Sequence, residues 1–195
     1  AQVGGEYLTL ADAFAQENVT SIKLISDCAI DEAITISENK AITLDLNGHT
    51  ITCSTKPADE SADKYYAFEV NGGKLKVTDT SADQTGQVIA KSDEPGLNQR
   101  MFLLKKGELN LDKGKYETNI ACVVLGADTD QQTTYSHLTV GQDVQLDIDY
   151  YYAVLVDKTS TNAYGVVVDF DGTSHNGALY INGDVQAKTG NVPVI

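Results

Sequence analysis

Two clusters of tyrosine carry the clearest potential for ligand binding in this sequence. The chain has 10 Tyr and no Trp, and five of the tyrosines fall in KYYAF (Tyr65, Tyr66) and DIDYYYAVLV (Tyr150, Tyr151, Tyr152). Consecutive residues of a strand face opposite ways, so at least one ring of each cluster should be exposed or at a loop edge. Flat rings with a hydroxyl suit the faces of sugars. These five residues are therefore the candidate ligand-binding residues, although packing at loop edges is the favoured interpretation, because tyrosine is also a good strand residue.

Two pairs of aspartates could bind calcium. Asp128 and Asp130 in GADTDQQTT, and Asp169 and Asp171 in VDFDGTSHNG, are each two residues apart. Oxygen ligands on a turn suit Ca²⁺, but both segments lack the twelve-residue calcium-loop pattern. Ordinary polar turns explain them equally well. We predict no cofactor and no metal site, and keep calcium as an alternative.

Residues suited to catalysis are sparse and dispersed. The single arginine, Arg100, lies in KSDEPGLNQR, where we interpret it as a solvated loop charge. His49, His137 and His175 are too far apart in sequence for a local metal motif, and we interpret them as surface residues. No catalytic residue is predicted.

The composition argues against two classes of partner. The chain has 14 Lys plus Arg against 28 Asp plus Glu, for a net charge of -14. Nucleic acids need a basic footprint, which this balance does not offer. The longest apolar runs, such as ACVVLGA, fall far short of the roughly 20 residues of a membrane helix. We therefore expect neither nucleic-acid binding nor membrane insertion.

The three cysteines, Cys28, Cys53 and Cys122, are widely spaced and contain no CxxC pair. A zinc site would need about four close ligands. We expect buried free thiols, since cysteine is among the most buried residue types. Cys28 and Cys53 could still pair if they stack on neighbouring coils.

A repeat of alternating apolar segments indicates how these side chains are positioned. KAITL at 40, GKLKV at 73, GELNL at 107, SHLTV at 136 and GALYI at 177 start 33, 34, 29 and 41 residues apart. Each has a second alternating piece after it, in order HTIT, QVIA, KYET, VQLDI and VQAK. A third apolar piece (AFEV, MFLL, CVVL or VVVDF) precedes each of the last four units. The alternating apolar residues of each unit should share one face; they are Ile42 and Leu44, Leu75 and Val77, Leu109 and Leu111, Leu138 and Val140, and Leu179 and Ile181.

Three short strands per repeat predict an all-β chain, a parallel β-helix solenoid in which identical positions stack on neighbouring coils. An antiparallel sandwich is the main alternative, because Asn47-Gly48 between alternating runs is also a strong hairpin signal. The near-constant spacing favours the solenoid. We predict one β-helix domain over residues 1–195.

Residues 1–20 are predicted to form an N-terminal cap, with a short helix. Thr9 followed by Asp12 is close to a capping box, and Leu10, Ala13 and Phe14 would share one helical face. Such a helix would cover the open end of the first coil. NVPVI ends the chain on apolar residues in mid-pattern, so we expect a fragment of a longer protein.

The segments YLTLADAF, SIKLI and ITISENKAITLDLNGHTI resemble the start of right-handed β-helix domains, pectin-lyase-like in fold, of large surface proteins of Gram-positive gut bacteria. The resemblance implies an extracellular repeat domain at the cell surface and does not imply catalysis. Enzymes of similar fold are mainly lyases and hydrolases of acidic polysaccharides. Their hydrolase segments NTD, DD, HG and RIK are absent here as a set.

The predicted function is a non-enzymatic extracellular surface module, an adhesin or stalk, whose partner is a glycan or a host surface protein. Two alternatives remain open, a polysaccharide lyase or glycoside hydrolase and a pure structural spacer. The long loops recur once per coil, at 53–66, 91–100, 126–135 and 157–165. We expect several of them to lie along one side of the solenoid, where such folds bind ligands.

Overall fold

A computed structural model describes residues 1–54, 65–91, 99–125, 136–156, 166–181 and 186–188. These residues form one short helix, α1 (Leu10–Ala15), and seventeen strands. The strands are β1 (Gln2–Val3), β2 (Glu6–Tyr7), β3 (Ser21–Lys23), β4 (Cys28–Ile30), β5 (Ile34–Ser37), β6 (Ala41–Asp45), β7 (Thr50–Cys53), β8 (Tyr65–Thr78), β9 (Gln87–Ala90), β10 (Gln99–Thr118), β11 (Ala121–Leu125), β12 (Ser136–Ile148), β13 (Tyr152–Val156), β14 (Val166–Phe170), β15 (Thr173–His175), β16 (Ala178–Ile181) and β17 (Gln186–Lys188).

β3 to β17 stack in three parallel sheets that the chain visits in turn, whereas β1 and β2 pair antiparallel with each other. Sheet A contains β5, the first part of β8, the first part of β10, β11, β13 and β16. Sheet B contains β3, β6, the second part of β8, the middle of β10, the first part of β12, β14 and β17. Sheet C contains β4, β7, β9, and the last parts of β10 and β12, followed by β15.

Within each sheet a strand segment therefore pairs with the segments of the neighbouring coils. Asn47 and Gly48 both have positive φ, 47° and 80°, and the N–H of His49 donates to the carbonyl of Leu46 at 2.9 Å. This turn has the backbone signs that favour a hairpin, but β6 and β7 on either side of it belong to different sheets. The predicted parallel solenoid is confirmed, and the sandwich alternative is wrong.

The first four units of the predicted repeat stack as expected in sheet B. Leu75 lies opposite both Ile42 and Leu109, and Leu109 lies opposite Leu138. All four side chains are buried. The pieces HTIT, QVIA, KYET and VQLDI fall in sheet C, and AFEV, MFLL and CVVL fall in sheet A.

The fifth unit is assigned to the wrong sheet by the sequence pattern. GALYI contains β16, which pairs with β13 in sheet A, and VQAK contains β17, which pairs with β14 in sheet B. VVVDF takes the fifth place in sheet B, with Val168 opposite Leu138 and Phe170 opposite Val140. The 41 residues between the starts of SHLTV and GALYI therefore span more than one coil. Both segments alternate equally well, so alternation does not reveal which sheet a strand joins.

The predicted capping helix is present. The Thr9 hydroxyl accepts a hydrogen bond from the Asp12 N–H at 3.1 Å, and Leu10, Ala13 and Phe14 are buried. The Phe14 ring lies 6.1 Å from that of Phe68, which begins an aromatic column through the core. The column continues from Phe68 to Phe102 at 5.3 Å and from Phe102 to Tyr116 at 6.0 Å. The NVPVI segment lies outside the described residues, and among those described no helix is long and apolar enough to cross a membrane.

A glycine marks the corner of β10 between sheets A and B. Gly107 has a φ of 99°, and a Cβ there would overlap the carbonyl oxygen of Gly73 on the previous coil. Gly5 has a similar φ of 94° with nothing within 4 Å of its would-be Cβ. Comparison of the two positions therefore distinguishes the effect of a positive φ from the effect of close approach between coils.

Gly107→Ala is expected to destabilise the fold by several kcal/mol, because backbone strain adds to a clash between coils. Gly5→Ala should cost only about 1 kcal/mol from its positive φ. Urea unfolding of both variants measures the difference. Equal losses of stability would show that close stacking at this corner is unimportant.

Asp79 ties two coils together at the corner between sheets B and C. It is 1% exposed, and its carboxylate accepts from the N–H groups of Gly48 at 2.9 Å, Ser81 at 2.9 Å and Gly86 at 2.6 Å. Burial alone would raise the pKa of Asp79, but its hydrogen bonds to Ser81, Gly86 and Gly48 outweigh burial, so this pKa is lowered.

Asp79→Ala should cost about 3 kcal/mol or more, because N–H groups at this corner lose a charged acceptor. The exposed Asp83 of the same turn supplies the control, and Asp83→Ala should cost under about 0.5 kcal/mol. A group with a lowered folded pKa stabilises fully above its unfolded pKa of about 4 and loses this effect as pH falls through the folded value. The gap in unfolding free energy between wild type and Asp79→Ala should therefore narrow from pH 5 to pH 2. A gap independent of pH would contradict the assigned role of the carboxylate.

Candidate functional site

Four tyrosines form a continuous group of rings on the outside of the solenoid, here called the tyrosine surface: Tyr150, Tyr151, Tyr152 and Tyr180. Adjacent ring centroids lie 6.3 Å apart for Tyr150 and Tyr151, and 5.7 Å for Tyr151 and Tyr152. Tyr152 and Tyr180 are 5.5 Å apart. Tyr150 is 67% and Tyr151 57% exposed, which confirms that this cluster exposes at least one ring.

Backbone hydrogen bonds to the previous coil hold this corner in place. The N–H groups of Asp149, Tyr150 and Tyr152 donate to the carbonyls of Thr118, Asn119 and Ile120 respectively, at 3.0, 3.0 and 2.9 Å. Tyr150 and Tyr151 lie in the bend between β12 and β13. The backbone is thus fixed while two aromatic side chains project into solvent, as a preorganised binding surface requires.

A small apolar cluster lies on the outer face of sheet A, separate from the main core. It consists of Leu103, Ile120, Ala121 and Val124, with Tyr66, Tyr152 and Leu155 packed against it. The chain neighbours of Leu103 and Val124, namely Leu104 and Leu125, belong to the main core. Alternation along β10 and β11 therefore places Leu103 and Val124 on the opposite face of the sheet, and the other members of the outer cluster pack with them.

The two sequence-predicted tyrosine clusters meet on this outer face. Tyr66 lies opposite Arg100, Arg100 opposite Ala121, and Ala121 opposite Tyr152, which makes one row across four strands. Tyr66 and Tyr152 are both half-buried. Tyr65 begins β8, and its side chain lies outside the described residues.

Arg100 is not the solvated loop charge that its sequence context suggests. It lies inside β10 and is half-buried, with its guanidinium carbon 6.0 Å from the centroid of the Tyr66 ring. Its Nε and Nη1 atoms are buried and have no hydrogen-bond partner. The repeat could have revealed this position, because Arg100 precedes MFLL as Tyr66 precedes AFEV. Tyr180 was also missed, since it falls in the unit assigned to the wrong sheet.

Each histidine lies beside an aspartate of a neighbouring coil. His137 Nε2 is 2.9 Å from Asp169 Oδ2. The other pairs, His49 with Asp27 and His175 with Asp147, are each 3.4 Å apart. All three histidines retain exposed side-chain surface, which confirms their interpretation as surface residues.

The proposed calcium ligands are only partly described. Asp128 and Asp130 lie outside the described residues, as do most of the four long loops. Asp169 lies beside His137 and Asp171 is exposed. Within the part of the chain that the structure covers, no group of three or more His, Cys, Asp or Glu could hold a metal ion.

The outer faces of sheets B and C carry ion pairs between coils. Lys74 Nζ lies 2.7 Å from Glu108 on sheet B, beside a shallow depression of about 200 Å³ that Glu108 and Asn110 help to line. On sheet C, Lys91 Nζ lies 2.9 Å from Asp149 and 3.5 Å from Glu117. Burial alone would lower the pKa of Lys91, but these two carboxylates raise it. Glu108, Glu117 and Asp149 therefore already have cationic partners.

All three cysteines are free thiols. Cys53 and Cys122 are buried as expected, whereas Cys28 is only half-buried. Cys28 in β4 and Cys53 in β7 do lie on paired strands of neighbouring coils. Burial raises the pKa of all three thiols, which lowers the reactive thiolate fraction at neutral pH.

In the folded protein at pH 8, iodoacetamide should modify Cys28 first, while Cys53 and Cys122 react only on unfolding, because they are buried and their pKa is raised. Peptide mass spectrometry against time measures the three rates, and the urea-unfolded chain, where all three should react alike, is the control. Equal labelling of Cys122 and Cys28 in the folded protein would show that this part of the core opens readily.

Comparison of the chain with protein-family models, with curated proteins and with solved structures found no match.

Proposed function

We propose that this chain is a non-enzymatic extracellular module of a bacterial surface protein, an adhesin or stalk, and that its tyrosine surface binds carbohydrate. The observation that carries the proposal is the pair of exposed rings, Tyr150 and Tyr151, continuous with Tyr152 and Tyr180. Such rings are costly to leave in water, and their apolar faces with polar edges match the two kinds of surface that a sugar presents.

The shape of the surface favours an extended ligand over a small enclosed one. The rings lie on an open corner of the solenoid, and Tyr180 lies on the coil that follows Tyr152. A chain of sugars can contact successive rings, each contributing a modest amount of binding energy. Resemblance to surface β-helix domains supports the extracellular location.

Binding rather than catalysis is favoured by the surroundings of the carboxylates. General acid–base cleavage of a glycosidic bond needs two carboxyl groups free to face the sugar. Glu108, beside the depression on sheet B, is paired with Lys74, while Asp149, next to the tyrosine surface, is paired with Lys91. Cleavage remains the alternative function for the same fold.

The test is binding of the purified protein to an array of plant, mucin and bacterial glycans, first with calcium and then with chelator. Tyr150→Ala with Tyr151→Ala should weaken binding at least about fivefold, taking for each ring the contribution of about 0.5–1.5 kcal/mol that stacked aromatic rings make beyond their buried area. The matched control is Tyr7→Ala, because Tyr7 is 72% exposed and belongs to β2 at the N-terminal end. Tyr7→Ala should bind as wild type does.

The other outcomes identify the competing functions. Equal binding by the double variant and wild type would overturn the tyrosine surface as the binding site. Shortening of a polysaccharide, measured as new reducing ends, would indicate an enzyme. Absence of binding to every glycan would favour a spacer or a module that binds a host surface protein.

A further inference from the structure

Two of the three guanidinium nitrogens of Arg100 lack the partners that a buried cation requires. These atoms, Nε and Nη1, are buried without a hydrogen-bond acceptor, and the Tyr66 ring, 6.0 Å from the guanidinium carbon, offers a cation–π attraction. Unpaired charged donors are costly inside a protein. The lysines of sheets B and C contrast with this, as Lys74 and Lys91 each contact a carboxylate.

The position of Arg100 connects it to the tyrosine surface. Arg100 and Tyr152 are separated in their row only by Ala121, whose side chain is a single methyl group. Neighbouring strands are about 4.8 Å apart, so about 10 Å separates the two backbones. The long arginine side chain can span much of this distance, and partial exposure leaves it accessible from solvent.

We propose that the carbohydrate bound by the tyrosine surface is anionic, and that Arg100 binds its carboxylate or sulfate group. The guanidinium fork matches the paired oxygens of such groups, which a neutral sugar does not offer. Binding would turn Nε and Nη1 from their covered position toward the anion. The inference rests on the proposed function and adds the chemical class of the ligand.

Arg100 is the single arginine of the chain. A ¹H–¹⁵N NMR spectrum therefore contains one arginine Nε–H signal, which belongs to this residue. We expect this signal to shift saturably on titration with sodium glucuronate, sodium sulfate or both, and to stay fixed with glucose. Glucuronate and sulfate distinguish a carboxylated from a sulfated ligand. Arg100→Lys should remove the signal, which confirms its assignment. A signal that neither anion moves overturns the inference.

Glycan binding provides the second measurement. Arg100→Gln should weaken binding to anionic glycans about tenfold relative to neutral glycans of the same backbone, and Arg100→Lys should restore part of the loss. Lys74→Gln removes the same charge from the outer face of sheet B and should leave this ratio unchanged. If Arg100→Gln leaves the ratio of anionic to neutral glycan binding unchanged while the Tyr150→Ala and Tyr151→Ala double variant still loses binding, the inference is overturned and the proposed function stands. If the Tyr150→Ala and Tyr151→Ala double variant binds glycans as wild type does, the proposed function itself is overturned.

Discussion

In-register stacking of each coil on the next is the constraint on which the rest of this structure depends. A strand here forms its backbone hydrogen bonds with strands one coil away, so an inward side chain must fit the same position above and below it. The aromatic column from Phe14 to Tyr116 and the leucines of sheet B both follow from this requirement. Outward side chains do not have to fit against the coils above and below, so they can differ from coil to coil.

An acidic chain also has to keep its carboxylates from repelling one another along a narrow stack. Part of this is achieved by placing acids beside donors from another coil, as with Asp79 and the Gly48 N–H, or Asp112 and Lys76 at 3.1 Å. Exposed ion pairs add little stability individually. The buried carboxylates at the corners add more, because they satisfy backbone N–H groups that the turns leave without a strand partner.

The sequence predicts the fold well wherever local chemistry and the repeat agree. Thr9 begins the capping helix, and four successive units stack with their alternating residues inward. The fifth unit was misplaced because strands of all three sheets alternate alike, and only the length of the connections distinguishes them. Arg100 was misread for a related reason. The residues before it in sequence are mostly polar, whereas its neighbours in space, Tyr66 and Ala121, come from other coils.

The intercoil hydrogen bonds have a mechanical consequence. They run roughly along the axis of the solenoid, slanted between parallel strands, so tension between the two ends pulls each bond largely along its own length. Tension passes in full through every interface in series. The force that a rod of this kind withstands is therefore set by its weakest interface, and adding coils would lengthen the rod without making it stronger.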